Sequence, residues 1–511
     1  MKDNLEKYDV IVIGGGLSGL MAGVTAAQRG KKVLLLEKHT TVGGLAAGFT
    51  RKGYYFDSGM SRCMGYIRGP LKSAGIMDKV ELKPQRIICN IAGCWVDYSS
   101  LEGFIAGLAQ VFPEEKDSLL ALYAREIKPA EAIFATFFAE VDGCNPGQKV
   151  LHTLRLLRTL ATMSRAKSLQ GAESDVLGKY LDKDGRAYNF LVEKVDEVDY
   201  RGEMNFFTKA GKWYSQIFNI YPSIGFQGIA DELASVFRAH QGEIRTGVDV
   251  KKIMIENGRA VGVMLEVHSQ SEQIYAGNVI SCIDLKKTFH GLIGDQYIDP
   301  DFIDRLEKTR LSRAIPLLFL GLDIPSERIK AYFQGREEVW YYPEIVPAKT
   351  EETFFRDHSM VVHSSSFHNP DHAPAGKTNL HVYLSCPPDG WMDNWGLENG
   401  VRTERYRVLK ERVIEQILTA LEGLIPELHD RSCIEVCELG TPVTLERYTG
   451  NTEGSCLGFR LDADYVNSRK LGKYFDRIAG ITHLYFAGQQ TGYPGGVINA
   501  FGSGKHAGKL V

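Results

Sequence analysis

The chain has 511 residues, a formal net charge of −3, and 44% hydrophobic against 24% charged residues, a balance that supports a large core and excludes intrinsic disorder. The near-neutral charge gives no global attraction to nucleic acid, no run approaches the length of an apolar membrane span, and the first seven residues lack the apolar run of a signal peptide. Of the 53 glycines, 22 fall within residues 1–75 and 480–511, which excludes a low-complexity or collagen-like chain. Nine scattered cysteines fit a reduced, cytoplasmic protein. Cys89 and Cys94 have the spacing of some redox pairs, but they lie far from the glycine clusters and open no helix, so they are read as ordinary thiols.

The first element is the apolar run Tyr8–Ile13, followed at once by Gly14, Gly15, Gly16, Leu17, Ser18 and Gly19, then by the helical composition of Leu20–Arg29. A second apolar run, Val33–Leu36, ends in Glu37. This is a βαβ unit of the size expected for dinucleotide binding. Gly14 permits the tight turn, Gly16 lets backbone approach a pyrophosphate, and Gly19 lets helix and strand pack closely. The helix start then offers free N–H groups and its positive dipole end to phosphate. Glu37 is placed to accept from a ribose diol. An NAD site and an FAD site satisfy this unit equally.

Lys38–Phe49 (KHTTVGGLAAGF) and then Phe56-Asp57-Ser58-Gly59-Met60 follow. A VGG loop after the ribose acid, and an F-D-x-G segment beyond it, resemble the two-dinucleotide-fold flavoproteins of the amine oxidase and phytoene desaturase type. The resemblance implies FAD, with Lys38, Gly43, Gly44 and Leu45 around the adenosine and pyrophosphate and Ser58, Gly59 and Met60 toward the flavin.

Mid-chain, Tyr221-Pro222 with Gly225 and Gln227 resembles the Y-P-x-x-G-x-Q opening of a helix, here expected over Ile229–His240. The next strand brings Val250 to the position that meets adenine in relatives. Asn257-Gly258 predicts a type I′ hairpin between Lys251–Glu256 and Arg259–Glu266. Asn278–Asp284 resembles the family's V-V-x-N-A-D strand, with Cys282 as a departure. At the C-terminus His483–Gly488 reads as a strand ending in glycine, and Ser503–Leu510 as a helix. The resemblance places Gly488, Gln489, Gly496 and Val497 at the ribityl chain and flavin ring.

Taken in order, these motifs resemble the FAD-dependent phytoene desaturase, carotenoid cis-trans isomerase and retinol saturase superfamily. The implied fold is α/β: a Rossmann-like FAD-binding domain with an inserted α+β substrate domain. The former is expected over 1–75, 222–300 and 431–511, the latter over 76–221 and 301–430.

Within the intervening pieces, residues 149–167 read as a basic amphipathic helix, suited either to a membrane interface or to its own core. His358, His363, His368, His372 and His381 crowd together without metal-type spacing, so no metal is expected. Trp340-Tyr341-Tyr342 and Trp391/Trp395 suit a core or an apolar tunnel. The run Thr441–Asn451 resembles a T-P-x-T-x-x-R-Y-x-G segment of bacterial relatives and offers Arg447 and Tyr448 as groups to polarise or protonate a substrate, or as a plain structural connection.

The resemblance implies an oxidoreductase acting on C=C or C–C bonds of a lipophilic isoprenoid or polyene. Electrons would pass to or from a quinone, oxygen or NAD(P)H, since no second G-x-G-x-x-G follows a strand. Peripheral contact with the inner face of the membrane accompanies that expectation. Amine oxidase-type C–N oxidation and a flavin-free prenyl-protein chaperone are the alternatives.

Overall fold

A run that is apolar at successive positions offers water no face, and the strand it forms, Lys7–Ile13, is buried from Val10 to Ile13. It lies centrally in a seven-stranded sheet of the computed structural model, which describes residues 7–64, 67–137, 171–193, 206–267, 270–346, 350–387, 393–398, 400–459, 480–491 and 496–511. Val33–Glu37 and Gln270–Ser281 flank it in parallel. Glu243–Thr246 extends the sheet beyond the first and Leu484–Phe486 beyond the second, again in parallel. Asp249–Glu256 and Arg259–Val267 continue it as an antiparallel arm. Asn257 and Gly258, at φ 50° and 70°, make the turn between them with both central residues left-handed, as type I′ requires.

The helix Leu17–Gln28 covers one face of this sheet and is buried from Leu17 to Ala27 because two further helices, Gly225–Ala239 and Val497–Leu510, pack around it. The C-terminal helix starts six residues before the expected Ser503. Gly502, Gly504 and Gly508 weaken a helix in isolation by roughly 1 kcal/mol each relative to alanine. Here two of them permit contact: a Cβ on Gly504 would stand 2.2 Å from the Ser18 carbonyl oxygen, and one on Gly508 2.5 Å from that of Ala22. Tertiary packing thus outweighs propensity. The mid-chain helix likewise begins at Gly225, ahead of the expected Ile229.

A second seven-stranded sheet runs in the order Ile434–Gly440, Leu317–Leu322, Thr378–Leu384, Met360–His363, Glu338–Tyr342, Ile87–Ile91, Cys94–Asp97. Its neighbours are antiparallel except for Glu338–Tyr342 beside Ile87–Ile91. Side-chain alternation splits it into two faces. Trp340, Tyr342, Val361 and Tyr383 join a core with Tyr54, Phe56 and the helices of the 101–216 region. Val339, Tyr341, Val362 and Val382 pack toward the long helix Glu404–Glu422. Ile434–Gly440 therefore shares a sheet with the intervening pieces, and in the division we propose the boundary expected at 431 moves beyond Gly440.

All eight described cysteines are free thiols; Cys89 is buried and Cys94 exposed on adjacent strands, opposite Val96 and Ile91 respectively. The expected basic helix 149–167 and Trp391 lie outside the described residues. No described helix is long and apolar enough to cross a membrane.

Candidate active site

The turn from the first strand into the first helix is built against its own backbone at one glycine and left open at another. A Cβ on Gly19 would fall 1.8 Å from the Gly14 carbonyl oxygen, so the strand–helix approach itself demands glycine there. Gly16 is different. Its φ of −70° suits any residue, and the nearest neighbour of a Cβ would be the Gly44 Cα at 3.9 Å. The chain needs no glycine at 16 for its own packing, so the missing side chain preserves space for something outside it, at a helix N-terminus where anions are favoured. A dinucleotide pyrophosphate fits that cradle.

The VGG loop closes over the same place. The Gly43 amide donates to the Gly15 carbonyl at 2.9 Å, and Gly44 lies against Gly16. Residues 44–46 form a single 3₁₀ turn carrying Leu45. The mid-chain motif holds this loop: the Gln227 amide donates to the Val42 carbonyl at 3.1 Å and accepts from the Gly48 amide at 3.1 Å. Ser58 binds the far end, its amide and hydroxyl both donating to the Ala47 carbonyl at 2.8 and 2.7 Å. Gly59 presses on the Leu45 carbonyl, and Met60 packs against the core under the first helix.

Glu37 ends the second strand as expected. Its carboxylate accepts from the Gly15 amide at 2.7 Å and the His39 amide at 2.9 Å, one bond per oxygen. Each oxygen keeps further acceptor capacity for a ribose diol. Beyond it opens a cavity of about 540 Å³ lined by Lys38, Val250, Ile283, Lys286, Lys287, His290 and Gly450, among others. Lys38 and Val250 thus meet at one end of the groove.

Arg447 and Tyr448 do not stand where a catalytic role requires. The helix Pro442–Thr449, capped by the Thr441 hydroxyl, leaves both exposed, and Tyr448 stacks on His39 while its carbonyl meets the His39 ring nitrogen. They flank the Glu37 end of the groove, away from the turn at Gly488. The helix is the structural connection, because its amphipathic pattern buries Leu445 and turns the next three residues outward.

The C-terminal turn converges on the opposite end. A Cβ on Gly488 would lie 3.8 Å from the Cys282 carbonyl and 3.9 Å from the Ser18 hydroxyl. Gln489 reaches the Ser455 carbonyl, and Gly496 and Val497 open the helix that packs on Leu17–Gln28. Asp284, to which sequence reasoning gave no role, holds this end together. It accepts from the Gln490 side chain at 2.9 Å and from the Thr452 amide and hydroxyl at 3.0 and 2.9 Å, while Gln490 accepts from the Leu285 amide at 2.6 Å.

A second hub was also missed. Asp57 is fully buried and accepts from the Tyr55 hydroxyl at 2.7 Å, the Phe226 amide at 3.0 Å and the Tyr221 hydroxyl. Burial pushes its carboxyl up to about 6, against the pull of those hydrogen bonds. Its own amide donates to His381 Nε2 at 2.9 Å, reaching into the second sheet. Around it the crowded histidines assemble: His368 stacks on Tyr221 at 4.9 Å and His363 on His381 at 4.5 Å. Burial holds His368 and His372 near 4, His381 near 3 and His363 well below its usual range, so all four are neutral at pH 7. Among the described residues no group of three or more His, Cys, Asp or Glu is arranged to hold a metal. The signal that exposes this cluster is the alternation in Thr378–Leu384, which sets His381 and Tyr383 on one face.

The fold and groove define an oxidoreductase of the Rossmann dinucleotide-binding class. Residues 12–71 match the NAD(P)-binding Rossmann-like domain family. The chain is 26% identical to the chloroplastic prolycopene isomerase of Daucus carota over 88% of its own length and 72% of that protein's. It is 24% identical to the all-trans-retinol 13,14-reductase of Homo sapiens, over 95% and 82%. The structure of a putrescine oxidase bound to putrescine superposes with a TM-score of 0.62 at 13% identity, covering 99% of each chain, a likeness that speaks for the fold alone. The chain belongs with the flavoprotein-type oxidoreductases of the phytoene desaturase, carotenoid isomerase and retinol saturase superfamily.

Proposed function

We propose that the protein binds FAD extended along the groove and acts with it on C=C or C–C bonds of a lipophilic isoprenoid or polyene, by desaturation, saturation or isomerisation. The observation that carries the cofactor is the cradle at Gly16, which packing of the chain leaves open. The amides around Gly14, Gly16, Leu17, Ser18 and Gly19 hold the pyrophosphate under a cover of Gly43, Gly44 and Leu45. Glu37 takes the ribose, and Lys38 and Val250 flank the adenine. Ser58, Gly59 and Met60 on one side, and Gly488, Gln489, Gly496 and Val497 on the other, receive the flavin end. Bound there, FAD supplies a hydride donor or acceptor. The chain supplies orientation and a dry surface, since Trp340, Tyr342, Val361 and Tyr383 present a mainly apolar face of the second sheet.

Electrons pass to or from a quinone, oxygen or NAD(P)H, and segment 149–167 contacts anionic lipid; unchanged vesicle binding after neutralising its charges would remove the second of these. The reaction is tested by anaerobic incubation of the purified protein with polyenes, reading a mass change of minus two, zero or plus two hydrogens. A protein that stays colourless when offered FAD would instead favour the flavin-free prenyl-protein chaperone. Peroxide release with amines would favour C–N oxidation.

A further inference from the structure

Two neighbouring rows of side chains cross the interior face of the second sheet in register. One runs Cys89, Trp340, Val361, Tyr383, Leu317; the next runs Ile87, Glu338, His363, His381, Phe319. Most polar atoms of the second row have partners. The Glu338 carboxylate accepts from Arg62 at 2.7 Å, from the Trp340 indole at 2.7 Å and from Gln85 at 2.8 Å, and His381 accepts from the Asp57 amide.

His363 and Tyr383 depart from this. His363 has no accessible surface, yet neither of its ring nitrogens has a hydrogen-bond partner among the described residues. The Tyr383 side chain is 8% exposed, and its hydroxyl, near Ser61, completes no hydrogen bond either. The two rings stack at 5.8 Å. Tyr383 also lines a narrow cleft with Ile315, Trp340, Tyr342, Val361 and Leu384, which is otherwise apolar apart from two serines. Buried polar groups are normally paired, and an adjacent pair left without partners inside an apolar face calls for a partner from outside the chain.

We propose that Tyr383 and His363 form a polar bracket that receives an uncharged oxygen, a hydroxyl or carbonyl, at one end of the polyene substrate. This rests on the polyene substrate proposed above and selects within it: an oxygenated polyene rather than a pure hydrocarbon or a carboxylate. A neutral histidine and a tyrosine each donate and accept, so either oxygen type is satisfied. A carboxylate finds no counter-charge, because Arg62 is engaged by Glu338 at 2.7 Å and the neighbouring Asp57 and Glu338 are themselves acidic. A hydrocarbon leaves the bracket empty in a closed site, the situation in which sites built to bond an oxygen reject an analogue lacking it.

The test measures binding of four probes to the FAD-loaded protein by quenching of tryptophan fluorescence: all-trans-retinol, retinal, retinoic acid and the corresponding hydrocarbon without the oxygen. Retinol and retinal are expected to bind about tenfold or more tightly than the other two. Tyr383→Phe, which removes one oxygen atom, should abolish the preference while leaving hydrocarbon affinity and flavin absorbance unchanged; it should also raise Tm, since an unpartnered hydroxyl is lost. His363→Leu should act in the same direction. Equal binding of alcohol and hydrocarbon by the native protein, or a preference that survives Tyr383→Phe, overturns the bracket and leaves the polyene function standing. Failure of all four to bind overturns both.

Discussion

The two seven-stranded sheets carry function by different means. In the first, chemistry sits in backbone at the ends of strands: open space at Gly16, amides at a helix start, one carboxylate at Glu37. In the second it sits in side chains spread across a face, with Glu338, His363 and His381 in one row and Tyr383 in the next. A backbone site is written in consecutive residues, because a turn is local. A face site is assembled from strands far apart in the chain.

The two designs should fail differently, and acid should strike the second sheet first. For the four buried histidines the folded pKa is depressed, so the native state resists a proton that the unfolded chain accepts near 6.5. Their stabilisation is present above pH 6.5 and lost as pH falls toward 4, each with a slope of about 1.4 kcal/mol per pH unit. Asp57, raised to about 6, has the opposite sign: its contribution is present at low pH and lost as pH rises through 6. One group against four leaves a net fall, on the order of 5 kcal/mol between pH 7 and 5. Denaturant unfolding across that range should show it, and a flat profile would refute the neutral cluster.

Gly19→Ala attacks the first sheet. With its Cβ 1.8 Å from a backbone oxygen, it should destabilise by about 3 kcal/mol or more and lower Tm sharply, because neither strand nor helix can move aside. An alanine variant of native stability would mean that the strand–helix contact is looser than described. Asp57→Ala removes the joint between the sheets and strands two tyrosine hydroxyls and the Phe226 amide, for a loss of roughly 3 kcal/mol. If Asp57 acts as a joint, urea unfolding monitored at two probes, one per sheet, should also lose coincidence; a single unchanged transition would speak against it. The smallest effect on stability belongs to Gly16→Val, expected within about 0.5 kcal/mol of native because nothing in the chain occupies that space. The same variant should lose FAD completely, and retained yellow colour would refute the pyrophosphate assignment.

The sequence was most legible where spacing is short. The βαβ unit, the VGG loop and the hairpin at Asn257-Gly258 are each decided within a few residues, since φ, capping and turn closure are local quantities. The same reasoning failed at Arg447 and Tyr448, whose motif was visible but whose direction depends on which face of Pro442–Thr449 is buried. It passed over Asp57 and Asp284, ordinary acids in sequence, because their partners at Tyr221, Phe226, Thr452 and Gln490 lie 164 to 206 positions away. The histidine crowding was noticed and tested only against metal spacing, which has no bearing on stacked neutral rings.

What the sequence determined by itself is that glycine gathers at the two ends of the chain around a dinucleotide-binding unit, a conclusion carried by backbone geometry that few other residues permit. What only the tertiary structure decided is that the two ends meet: Gly488 stands beside Ser18, and the C-terminal helix lies on the first because Gly504 and Gly508 let it approach. It also decided which of many buried polar groups go without partners. Hydrogen-bond satisfaction and helix contact are properties of packed neighbours, and over hundreds of residues of separation nothing in local sequence specifies who those neighbours will be.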